Sequence, residues 1–164
     1  MMRRAAPLSV LAAGLLMTPA ALAQPDGWTL GRQTDAGTGV ETLTASVAGE
    51  DGARLVIACR NRLSTLMALL PGRPSAGGVA ATATIGAVDL PVTLIDRGAA
   101  TLVAATSPGP LPAIIETIGA ADGPVTLTLA DPGADPGSEP AVHAFTTQGA
   151  AGTLATFKNR CAAR

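Results

Sequence analysis

The sequence predicts a mainly β protein: an antiparallel sandwich or half-barrel, two short α-helices covering it, and one disulfide. Three observations lead there. Short runs of apolar and Thr-rich residues in alternation recur along the chain, separated by Gly, Pro, Asn and Asp clusters. Two segments, Leu111–Gly119 and the stretch after Gly149, change to the 3.6-residue apolar period of a helix. The only two cysteines, Cys59 and Cys161, fall on the apolar face of an early strand and of the last helix.

The chain begins with Met1-Met2-Arg3-Arg4, continues through an apolar run from Ala5 to Met17, and reaches Ala21-Leu22-Ala23-Gln24. A basic start, a short apolar core and a small-x-small ending are the parts of a secretory signal peptide, so residues 1–23 read as a leader cleaved after Ala23. The competing reading is an N-terminal membrane anchor, but the run is short for a bilayer and is interrupted by Gly14 and Pro19. No second long apolar segment follows Gln24. Residues 24–164 are therefore expected as one β-rich domain, periplasmic or secreted, with no membrane insertion after cleavage.

Trp28 and Leu30 suit a short first strand, with the tryptophan buried on the sheet; the alternative is an exposed partner anchor. Thr38–Val47 alternates and reads as a strand, and Gly49-Glu50-Asp51-Gly52 as a turn. Arg54–Arg60 follows with Leu55, Ile57 and Cys59 on one face. Asn61 tolerates the left-handed backbone region and suits a tight turn, so Leu63–Leu70 is read as the returning strand. Its leucines also fit a helical spacing.

Residues 71–78 form a Pro- and Gly-rich loop by composition, and strands resume at Val79–Ile85 and Val88–Ile95. Pro91 inside the latter predicts an edge strand or a bulge, because proline cannot donate to a ladder. Ala99–Ala105 returns after the Asp96-Arg97-Gly98 turn. Leu111, Ile114, Ile115 and Ile118 make an amphipathic stripe, with Pro112 in the first turn and Gly119 at the end. Val125–Ala130 and Val142–Thr147 read as a strand pair around a loop from Asp131 to Pro140. Gly149 opens the last helix, with Ala150, Leu154, Phe157 and Cys161 on one face.

Cysteine usage and composition set the compartment and exclude some partners. Two cysteines in an exported chain pair most simply into one disulfide; the alternative is two free thiols. Pairing Cys59 with Cys161 closes a loop of about 100 residues, which loop-closure entropy values at about 4–5 kcal/mol. The formal net charge of −1 becomes −3 once Arg3 and Arg4 leave with the leader, and neither sign is clustered along the sequence. Nucleic-acid binding needs a basic face, and none is visible. Aromatic residues are confined to Trp28, Phe145 and Phe157, which argues against stacking platforms for sugars or bases. Arginine supplies nearly all the basic residues, which with abundant Ala and Gly suggests a GC-rich bacterial gene.

The chemistry that a catalytic or metal site requires is sparse. His143 is the single histidine, so a zinc site would have to combine it with carboxylates. A Ser-His-Asp arrangement lacks the Gly-x-Ser-x-Gly elbow, and Ser64, Ser75, Ser107 and Ser138 fit ordinary turns or strand faces. Asp131, Asp135 and Glu139 share one loop, but its prolines suit a solvated turn better than a calcium loop. The expectation is a non-enzymatic module with no cofactor and no metal, whose partner is an unknown envelope protein. Two alternatives stay open: an exported hydrolase-type enzyme using His143, and a carrier of a small apolar ligand in a cavity lined by Leu, Ile and Val.

The export signal, the strand-borne cysteine of Leu-Val-Ile-Ala-Cys-Arg-Asn and the helix Leu111–Gly119 before the strand Val125–Ala130 resemble the VasI/TagO type of periplasmic protein associated with type VI secretion. The run from Ala144 to Leu154, ending at Cys161, is similar to that family's closing Phe, small-Gly, helix and Cys. The finish also resembles the invasion-associated locus B family, another small exported β-rich group. The resemblance implies an accessory protein of the bacterial cell envelope and carries over no catalytic residues.

Overall fold

Buried and exposed side chains alternate along most strands of the computed structural model, the period-2 signature of a sheet with one face on a core. It describes residues 26–71, 78–97, 100–105, 108–130 and 139–163. The expected leader, residues 1–23, lies outside them. The elements in chain order are β1 (Thr29–Thr34), β2 (Glu41–Ala48), β3 (Arg54–Arg60), β4 (Leu63–Pro71), β5 (Val79–Ile85), β6 (Val88–Asp96), β7 (Ala100–Ala105), α1 (Leu111–Ala120), β8 (Val125–Ala130), β9 (Ala141–Phe145) and α2 (Ala150–Ala162).

Among the described residues nine strands form one antiparallel sheet in the order β1-β2-β3-β4-β7-β6-β5-β8-β9. It is a single curled half-barrel, so of the two expected architectures the two-sheet sandwich is not adopted. Cys59 and Cys161 are bonded.

The β3–β4 hairpin turns on Asn61 (φ 52°) and Arg62 (φ 64°), both in the left-handed region, as a two-residue primed turn requires. That turn fixes the register Cys59↔Ser64 and keeps Leu63–Leu70 a strand against its helical spacing. Pro91 departs from expectation, because β6 is an interior strand between β5 and β7. Among the described residues its ladder with β7 starts at Val92↔Ala105, and Pro91 pairs with Thr82 of β5.

The two helices close the concave side of the sheet. α1 presents Leu111, Ile114, Ile115 and Ile118, and α2 presents Ala150, Leu154, Phe157 and Cys161, all buried. α1 packs on α2, β4 and β6, and α2 on β1 and β2. α1 continues one residue past Gly119, and Ala121 takes the extended conformation that ends it. Leu43, Leu66, Leu70, Leu94, Phe145 and Phe157 are among the side chains of the single core that are almost wholly buried.

The curl brings the two sheet edges together. Gly49, just after β2, forms a bridge with Phe145 of β9. Trp28 is buried, donating from its backbone N–H to the Gln148 carbonyl at 3.0 Å and from its indole N–H to the Thr146 carbonyl at 3.0 Å. The tryptophan is thus a structural clasp between the start of β1 and the end of β9, which removes the exposed-anchor reading.

Candidate functional site

Cys59 and Cys161 have Cα atoms 5.9 Å apart, a normal disulfide separation, and join positions 102 residues apart. Ser64, the ladder partner of Cys59, puts its hydroxyl 3.4 Å from Cys161 Sγ. Around this bond the β3–β4 turn, the start of α1 and the end of α2 leave an open groove of ≈ 360 Å³. Leu111, Ile115 and Phe157 supply its apolar lining, and Cys161 itself reaches its surface. Leu63, also on the lining, is 71% exposed. A lone exposed leucine is ordinary, but one continuous with an apolar groove extends a patch.

Two cations, Arg62 and Lys158, line the groove, and Arg62 also borders a second hollow beside Glu41. Lys158 stands 3.7 Å from Glu116 of α1, with both side chains more than half exposed. Such a surface pair contributes about 0–1 kcal/mol. No cluster was visible in the chain, because these cations come from segments nearly 100 positions apart; the disulfide gathers them.

His143 occupies a different place. On β9 it faces the core side of the sheet, opposite Leu127 of β8, and its Nδ1 contacts Asp51 Oδ2 from the β2–β3 turn. Asp51 also accepts from the Ala53 N–H at 3.0 Å. Partial burial pushes the Asp51 carboxyl up, but hydrogen bonds from His143 and Ala53 outweigh it and hold it below the usual carboxylate range. His143 Nε2 is buried with no hydrogen-bond partner among the described residues. This pair sits at the Arg54 end of β3 and the groove at its Arg60 end; seven extended residues separate them by about 20 Å.

The structure therefore joins Cys59 to Cys161 and His143 to Asp51, a partner that sequence reading left as a turn residue. Ser64 is at the disulfide, while Ser75, Ser107, Ser138, Asp131 and Asp135 lie outside the described residues. Among the described residues no group of three or more His, Cys, Asp or Glu side chains is placed to hold a metal ion. Nor is any helix there long and apolar enough to cross a membrane. No protein-family model matches the chain, and neither a curated protein nor a solved structure gives a match.

Proposed function

We propose that this chain is an exported accessory module of the bacterial cell envelope, periplasmic or secreted, acting through protein contacts at the groove beside the disulfide. The observation that carries this reading is the continuity of exposed Leu63 with a groove lined by Leu111, Ile115 and Phe157. An oxidising compartment is where such a bond forms and persists. The resemblance to VasI/TagO proteins supports association with type VI secretion as the finer form of the proposal.

A photo-reactive amino acid in place of Leu63, in the full chain expressed in its own cell, tests it. The expected result is a discrete adduct with one envelope protein. The same probe in place of Val142, 56% exposed on β9, should give none. Adducts at Val142 alone would move the contact away from the groove and overturn the reading.

The hydrolase reading has one point in its favour, since His143 does stand beside a carboxylate. Its other nitrogen meets no hydroxyl among the described residues, so the pair has a base and an orienting acid without a nucleophile. A carrier needs an enclosed cavity, whereas the core here is occupied by its own leucines and phenylalanines and the groove is open to solvent.

A further inference from the structure

We infer that the Cys59–Cys161 bond is a thiol-exchange site, opened from the groove by a small-molecule thiol whose thiolate attacks Cys161 rather than Cys59. The inference goes beyond the docking reading and stands whether or not a protein occupies the groove.

Unequal access to the two sulfurs carries it. Exchange requires a thiolate to reach one sulfur of the bond, so access decides which sulfur is attacked. Cys59 is 0% exposed, on a strand paired on both sides, to Leu43 of β2 and to Ser64 of β4. Cys161 keeps 7% exposure and lines the open groove, whose ≈ 360 Å³ is of small-molecule size. Ser64 is also on that lining, with its hydroxyl 3.4 Å from Cys161 Sγ. The bonded sulfur has no hydrogen, so the hydroxyl donates and draws electron density from the sulfur under attack. Cys161 lies, moreover, in the last turn of α2, which ends at Ala162. A helix end opens locally more readily than an interior strand.

The attacking thiolate forms a new S–S bond to Cys161 Sγ as the Cys59–Cys161 bond breaks, and the electron pair of that bond leaves on Cys59. The Cys59 thiolate takes a proton from solvent, replacing the one the attacking thiol gave up. A second thiolate then attacks the small-molecule sulfur of the mixed disulfide and releases Cys161, which is protonated in turn. The chain gains two electrons and two protons, and the small thiol leaves as its own disulfide.

The test mixes the oxidised full chain with reduced glutathione at mildly alkaline pH without denaturant, quenches with acid at successive times and locates glutathione by peptide mass mapping. A second arm uses reduced thioredoxin as a protein dithiol. Glutathione is expected on Cys161 at least tenfold over Cys59. The rate of bond loss should rise in proportion to glutathione and stay flat in urea below the unfolding transition, the behaviour of attack on the native fold. Leu63→Trp, which narrows the groove from an exposed position, should slow it at least threefold while the urea midpoint shows the fold kept.

Glutathione on Cys59, or on both cysteines equally, overturns the assignment of the attacked sulfur. A rate that climbs with urea and levels off with glutathione means that the bond yields only after global unfolding, and overturns the exchange site. A bond untouched by glutathione but opened by thioredoxin overturns the small-molecule co-reactant, and an unchanged rate in Leu63→Trp overturns entry through the groove. None of these outcomes bears on the adduct at position 63, so the docking reading stands or falls by its own test.

Discussion

The Arg60 end of β3 is held by a covalent bond to α2, and apolar surface there stays open to solvent around Leu63 and the groove. The Arg54 end is held without any covalent bond: Asp51 meets His143, Gly49 bridges Phe145, and Trp28 clasps the strand end through two hydrogen bonds. At the second end the buried groups largely satisfy one another, and closure depends on that. At the first, the disulfide fixes the helix whether or not the groove beside it is filled. A covalent tether thus lets the protein leave an apolar concavity unpacked, which is what a binding face needs and what a self-closing seam has no room for.

Removing the tether should have the largest effect. Cys59→Ala with Cys161→Ala restores the freedom of a 102-residue loop in the unfolded chain. A loss of about 4 kcal/mol is expected, read as a lower urea midpoint. Reduction of the unsubstituted protein should reproduce it. A loss below about 1 kcal/mol would mean that Leu154 and Phe157 hold α2 unaided, and the contrast between the two ends would collapse.

Much of this architecture was legible beforehand, for physical reasons that differ by element. The α2 stripe of Ala150, Leu154, Phe157 and Cys161 could be read because helical period and burial coincide there. The β3–β4 hairpin could be read because Asn61 tolerates the left-handed turn; Arg62, which shares that conformation, gave no such sign. Pro91 misled because a proline within a strand does not say how many neighbours that strand has, and β6 lies between β5 and β7. The meeting of Arg62 and Lys158 on one groove was invisible as a run of charge. It could have been found only by asking which residues flank both ends of an inferred cross-link. Asp51 offered no clue, because its partnership with His143 exists only once the sheet has curled.

The seam should respond next. Asp51→Ala leaves His143 Nδ1 without its partner at a position only 12% exposed, at an expected cost of about 1–3 kcal/mol. Acid should reach the same contact. The Asp51 carboxyl is held below its ordinary range in the folded protein, so the folded state binds fewer protons there than the unfolded chain does. Its contribution is fully present above pH about 4 and is lost as pH falls through the folded value. Urea midpoints between pH 6 and 3 should fall in the native protein and fall less steeply in Asp51→Asn. Equal slopes would mean that the seam closes without this charge.

Leu63→Ser should have the smallest effect on stability and so separates the two ends most sharply. The side chain is 71% exposed, lies at the first position of β4, and makes way for a residue that the turn accommodates. Its removal takes little apolar area out of the folded core, so the urea midpoint should shift by no more than the equivalent of about 0.5 kcal/mol. Binding should behave oppositely, because Leu63 is the part of the apolar patch that stands clear of the fold and meets an incoming segment first. Stability kept and partner binding lost is the pattern of a residue exposed for contact. Stability lost along with it would make Leu63 a cover for the disulfide, and the groove part of the fold's own packing.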